Sequence, residues 1–111
     1  MLIINHYLLM LNSYLIEKLP KVIDIFKKYK IIRAYAFGSV CSDRFNDNSD
    51  IDLLIAFQEN LDPLYRGQSI WDMEDELKLT LNRDIDLLTE TQLKNPYLIK
   101  ELNETKIQIY G

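Results

Sequence analysis

Apolar and polar positions follow two rhythms along this chain, one helical and one extended. Val22, Ile23, Ile25 and Phe26 fall on one side of a helix that Pro20 can open and that runs to about Lys30. Ile31–Phe37 is rich in β-branched and aromatic residues, as a strand is. It ends at Gly38-Ser39. Ser42, Asp43, Asn46, Asp47, Asn48 and Ser49 then predict a loop or broken turn over 40–49. Ile51–Phe57 is a nearly continuous apolar run, the mark of a strand buried on both faces. Asp62 as cap and Pro63 as first helical residue open a second helix, which runs to about Leu81. Ser69 and Asp72 have capping-box spacing, so that helix can restart there. Ile85–Leu88 is a short strand. Thr89 and Gln92 repeat the capping-box spacing before a last helix, which Asn95-Pro96 can split, and Lys106–Tyr110 reads as a terminal edge strand. The alternation predicts an α/β or α+β domain, a small mixed sheet flanked by helices.

Length and composition narrow this picture. The 111 residues fit one domain over 1–111 and leave little room for a second. A hydrophobic share of 48% argues against wholesale disorder. One cysteine, Cys41, excludes an internal disulfide scaffold and points to a reducing, cytoplasmic compartment. The start, MLIINHYLLMLNSYLI, has no Lys or Arg before Lys18, unlike a secretory signal. Its longest unbroken apolar piece is Tyr7–Leu11, far short of the roughly 20 residues that span a bilayer. Residues 1–18 are therefore expected to form an arm or helix packed on the domain or on a partner, with no membrane role.

The net charge of -4 disfavours a protein that grips long nucleic acid through its backbone. Residues 1–33 carry six basic and two acidic side chains, while 34–111 carry seven basic and fifteen acidic. One pentapeptide explains part of that excess. Asp50-Ile51-Asp52-Leu53-Leu54 recurs as Asp84-Ile85-Asp86-Leu87-Leu88. Side chains alternate along a strand, so the two aspartates of each copy share a face, about 7 Å apart along the chain. Asp is disfavoured within strands, and a buried carboxylate is costly unless paired or metal-bound. Two readings stand at this point: polar residues at solvent-facing strand ends, or a hard-cation site for Mg²⁺. The segment ahead of the first copy adds to the second reading. A Gly at a strand end lets a phosphate approach the backbone, and Ser39 adds a hydroxyl donor.

Gly38-Ser39, ten residues, Asp50-x-Asp52 and a later Asp on a neighbouring strand resemble the polymerase-β-type nucleotidyltransferase superfamily. The likeness covers roughly residues 20–110. The wording AFGSV…SDIDLLI is similar to that of its minimal nucleotidyltransferase branch. The resemblance implies the nucleotidyltransferase fold, with Asp50 and Asp52 holding two Mg²⁺ ions. A third carboxylate would complete the site and help to activate an acceptor hydroxyl; Asp86 matches it best and Asp84 competes. Gly38 and Ser39 would hold the triphosphate of ATP. Relatives often carry Arg and Gly in the following loop, where this chain has Ser42 and Asp43; Arg44, displaced by two, is the candidate substitute. The implied reaction moves AMP from ATP to a hydroxyl. In the minimal branch the acceptor is typically a tyrosine of a HEPN-domain toxin, the enzyme being the antitoxin. A partner or a second copy would finish the cleft of so short a chain. Two alternatives remain: an antitoxin-like subunit that masks its partner without catalysis, and transfer to a small molecule.

Other residues read more plainly. His6, the only histidine, lacks partners for a catalytic dyad or zinc site. Cys41 has no histidine in the domain to activate it. Trp71, Met73, Leu77 and Leu81 have helical spacing and are expected in the core. The basic cluster Lys18–Arg33 and the acidic set Asp72, Glu74, Asp75 and Glu76 read as solvated helix faces.

Overall fold

Helix α1 forms because Asn12, not Pro20, supplies its start. In the computed structural model, which describes residues 11–111, α1 spans Ser13–Lys28, and the Asn12 side chain accepts the Tyr14 N–H at 2.9 Å. The expected start at Pro20 is thus corrected. Leu15 extends the stripe of Val22, Ile25 and Phe26 toward the N-terminus, and its burial draws the helix back past the proline. Pro20 lies exposed inside α1, where its missing N–H and its ring work against the helix. The first ten residues of the expected N-terminal arm lie outside the described residues.

Strand β1 (Ile31–Phe37) is followed by a single 3-10 turn, Gly38–Cys41, and a loop. Strand β2 (Ile51–Phe57) then leads through α2 (Pro63–Leu81) to β3 (Ile85–Thr89). Asp62 caps α2 by accepting the Leu64 N–H at 2.8 Å, as its sequence predicts. The helix does not restart at Ser69, which is buried within it. The Thr89–Gln92 capping box forms but closes a 3-10 turn, Glu90–Gln92. Asn95 caps the separate helix α3 (Pro96–Thr105), and β4 (Ile107–Tyr110) ends the chain's sheet. Among the described residues no helix is long and apolar enough to cross a membrane.

The four strands lie in the order β3-β2-β1-β4. β1 runs antiparallel to both β2 and β4, while β2 and β3 run parallel, joined by α2 as a crossover. Ile51, Leu53 and Ile55 of β2 join Phe26 of α1 and Met73, Leu77 and Leu81 of α2 in one apolar core. Residues of opposite parity, Asp52 and Leu54, turn to the other face of the sheet. β2 is thereby apolar on both faces except at its first turn outward, Asp52.

The mixed fold stands as read from the sequence. One packing expectation does not. Met73, Leu77 and Leu81 are fully buried, but Trp71 is 75% exposed. A two-residue offset turns a helical side chain by about 200°, which removes Trp71 from the face its neighbours share. The contrast within α2 is testable by urea denaturation. Leu77→Ala should cost about 2–5 kcal/mol, whereas Leu79→Ala, at an 84%-exposed position, should change stability by about 0.5 kcal/mol or less.

Candidate active site

All four strands bring an end to one side of the sheet. β2, β3 and β4 begin there and β1 finishes there. The parallel register pairs Ile51 with Ile85, Asp52 with Asp86, and Leu53 with Leu87. The two copies of the repeated pentapeptide therefore lie side by side, residue against residue. The Ile51 N–H donates to the Asp84 carbonyl at 3.0 Å and extends the ladder to the aspartates ahead of each strand. On its other side Asp52 pairs with Phe37, the last residue of β1. Asp86, Asp52 and the start of the Gly38 turn thus form one row across three strands.

Asp52 is half-buried, while Asp50, Asp84 and Asp86 are exposed. Burial, then the negative charges of Asp86 and Asp50, push the Asp52 carboxyl up to about 6. Asp50 and Asp84, with Lys78, Asn82 and Arg83, border an open depression of about 460 Å³. The register therefore sets Asp86, rather than Asp84, beside Asp52. Burial and Asp52 also raise the Cys41 thiol to about 11, which keeps it protonated and a poor nucleophile.

Gly38 is shaped by the carboxylate next to it. Its φ is +75°, and a Cβ there would fall on Asp52 Oδ2. Only a residue without a side chain allows the turn and the carboxylate to occupy this corner together. The turn is anchored from behind: Val40 is fully buried, and its carbonyl accepts the Asn12 N–H at 2.8 Å. Ser42 closes the turn with both its N–H and its hydroxyl on the Ser39 carbonyl, each at 3.0 Å. Its hydroxyl in turn accepts the Arg44 N–H at 3.2 Å. Gly38, Ser39, Ser42 and Arg44 line a groove of about 840 Å³ whose far wall is the end of α3 and the start of β4. Glu101 and Glu104 line that groove, the aspartates of the row do not, and Gly38 is where row and groove meet.

Sequence reasoning missed Arg83. Its guanidinium donates to the carbonyls of Asn46 at 2.7 Å and Ser49 at 3.0 Å. It also stacks against Phe45 at 4.2 Å and Tyr14 at 4.9 Å. One side chain thereby fastens the loop that delivers Asp50 to the start of β3. Its signal in the sequence is a basic residue directly ahead of the second acidic pair.

The donor set is made of hard oxygens with excess negative charge. Mg²⁺ suits such ligands, and a divalent cation would offset both the burial and the neighbouring charges that raise Asp52. Among the described residues no three His, Cys, Asp or Glu side chains already form a closed metal cage. The site is a row in which Asp86 and Asp52 are neighbours in the sheet register and Asp50 lies two residues ahead of Asp52.

The "Polymerase beta, Nucleotidyltransferase" family profile matches residues 20–111. A Methanocaldococcus jannaschii protein, provisionally named a protein adenylyltransferase, is 34% identical over 83 residues, 75% of this chain and 81% of its own. A solved structure described as a minimal nucleotidyltransferase superimposes with a TM-score of 0.67 and 25% identity, covering 86% of this chain and 92% of its own. A toxin–antitoxin crystal structure with AMP-PNP matches with a TM-score of 0.66 and 25% identity, over 84% of this chain and 73% of that one.

The raised Asp52 carboxyl links stability to pH. Between an ordinary carboxylate pKa near 4 and the folded value of about 6, the folded state holds a proton that the unfolded chain has released. Stability should fall as pH rises through that window, and the charged carboxylate remains a cost above it. Asp52→Asn should therefore stabilise the metal-free protein by about 1–2 kcal/mol near pH 8, below the full two-unit value because solvent screens a half-buried group. Near pH 3.5 the two proteins should unfold at similar urea concentrations. Arg83→Met should make residues 45–49 exchange amide hydrogens at least about tenfold faster while the β2 amides stay protected.

Proposed function

Since the chain belongs to the polymerase β nucleotidyltransferase family, we propose that it transfers AMP from ATP to a hydroxyl on a HEPN-type toxin protein, as the antitoxin of a pair. The observation that carries this reading is the in-register pairing of Asp52 with Asp86 beside Gly38. Asp50 and Asp52 would hold Mg²⁺, two ions when the site is complete, and Asp86 would finish the ligand set. Bound Mg²⁺ supplies positive charge against the transferring phosphoryl group and the departing pyrophosphate.

The chain's own groups account for the rest. Gly38 and Ser39 present backbone and a hydroxyl to the triphosphate, and Arg44, on the same groove, supplies positive charge at its rim. Asp86, exposed at the sheet edge, accepts the proton of the incoming hydroxyl. The hydroxyl oxygen bonds to the α-phosphorus, the bond to the bridging oxygen breaks, and pyrophosphate leaves. Arg83 keeps Asp50 at its place by holding the loop ahead of it. The protein acceptor is supported by the adenylyltransferase name of the M. jannaschii relative and by the toxin–antitoxin complex that shares the fold. ATP and the free thiol of Cys41 both fit a cytoplasmic setting.

Intact-mass measurement of a co-expressed HEPN-type neighbour tests the proposal. The parent chain should add AMP-sized steps to it in the presence of Mg²⁺. Asp52→Asn and Asp86→Asn should each cut the rate at least about 100-fold. Full transfer by Asp52→Asn would sink the assignment. Neutralisation that survives an Asp50/Asp52 double substitution, with no mass gain, would return the binding-only reading.

A further inference from the structure

Helix α2 has two opposed faces. Ser69, Met73, Leu77 and Leu81 are buried on the inner one. On the outer one Leu64, Trp71 and Leu79 are 83%, 75% and 84% exposed. At 100° per residue these three fall within an arc of about 80°, centred opposite the buried face and about 22 Å long. Scattered apolar side chains on a surface need no explanation, but an aligned set that includes a tryptophan is the composition of a protein contact.

Gly67 borders the same arc, between Leu64 and Trp71. It lies inside α2, where glycine weakens a helix, and a Cβ added there would meet nothing within 4 Å. No neighbour among the described residues requires its small size. A close approach from outside would use it, because a notch between two apolar side chains admits the ridge of a crossing helix.

Charge selects the visitor. Asp75 lies in the arc between Trp71 and Leu79, and Asp72 flanks it. Glu74 is paired with Lys78 at 3.1 Å, and Glu76 with Lys28. Asp72 takes only the Gln68 amide at 3.2 Å, and Asp75 has no salt bridge among the described residues. A second copy laid across Trp71 would set Asp72 and Asp75 beside their own images, on chains that each carry a net charge of -4. Self-pairing is opposed, and a cationic rim is favoured.

We propose that the outer face of α2 docks an amphipathic helix of a different protein, with an apolar ridge for Leu64, Trp71 and Leu79 and a Lys/Arg rim for Asp72 and Asp75. This surface is separate from the transfer reaction. α2 covers the sheet face that holds Ile51 and Leu53, whereas Asp52 turns to the other, so a docked partner leaves the carboxylates open.

Trp71 is the only tryptophan of the chain, so its fluorescence reports the contact directly. The full-length protein is titrated with a synthetic helical peptide carrying a leucine ridge and a lysine rim, and with its glutamate-rim counterpart. A saturable blue shift is expected with the lysine peptide, with affinity at least about tenfold weaker for the glutamate peptide. Leu64→Ser/Leu79→Ser and Gly67→Gln should each weaken binding about tenfold or more, with circular dichroism unchanged. Asp52→Asn should bind the peptide like the parent, which separates docking from catalysis. No blue shift, equal binding of the two peptides, or full binding by the double variant would overturn the proposal. A blue shift that grows with protein concentration alone, with a dimer mass in sedimentation, would overturn it in favour of a second copy.

Discussion

Two strands with the same five residues are forced into the same register, and the rest of the site follows from that pairing. Parallel strands slip by one residue only at the cost of turning every side chain to the other face. Here a slip would carry Ile51 and Leu53 out of the core and put aspartates in their place. The apolar residues therefore fix the register, and the carboxylates are set by it. At Cβ separations of roughly 5 Å, two ionised carboxylates repel by about 3 kcal/mol at an effective dielectric constant of 20. Burying Ile51, Leu53, Ile85 and Leu87 contributes about 1.5–3 kcal/mol for each side chain fully removed from water, so packing wins. The repulsion is held in the fold, and Asp52, the most enclosed of the four aspartates, has its pKa raised by burial first and by Asp86 and Asp50 second.

Around this pair the other elements act as restraints with separate anchors. The Gly38 turn is tied to the N-cap of α1 through the Val40 carbonyl. The loop ahead of Asp50 is tied to the start of β3 through Arg83. At the opposite end of the sheet, Arg33 near the start of β1 holds Glu90, just past β3, with two hydrogen bonds, at 2.9 and 2.6 Å. Each tie joins segments far apart in sequence, so both ends of the sheet are held by contacts that no local propensity encodes.

Much of the fold was legible in the sequence, and for identifiable reasons. β1 and β2 matched to the residue because unbroken β-branched and aromatic runs end at polar or glycine positions. The cap at Asp62 was legible because an Asx residue stands just before a proline; Asn95-Pro96 has the same form, yet it reads as a break in a helix begun at Thr89, whereas it starts a separate one. The start of α1 was not legible, because Pro20 signalled a first turn while the apolar stripe ran on past it to Leu15. Trp71 has the residue type and loose spacing of a core position, but its angle around the helix turns it outward. The carboxylate row was legible because alternation and repetition are local properties. Its pairing partner, and hence the choice of Asp86 over Asp84 as the neighbour of Asp52, needed the register. Arg83 was not legible, since its partners are backbone carbonyls more than thirty residues away.

Gly38 gives the carboxylate row a second trace in the chain. Its missing side chain is the imprint of Asp52 Oδ2, and a larger residue at 38 becomes sterically conceivable only after the carboxylate beside it has gone. The two positions are therefore not free to vary independently. Among descendants of this sequence, loss of the aspartate would release the glycine, whose positive φ would then be the only restraint on it. A chain that keeps glycine here keeps the corner open for the acid.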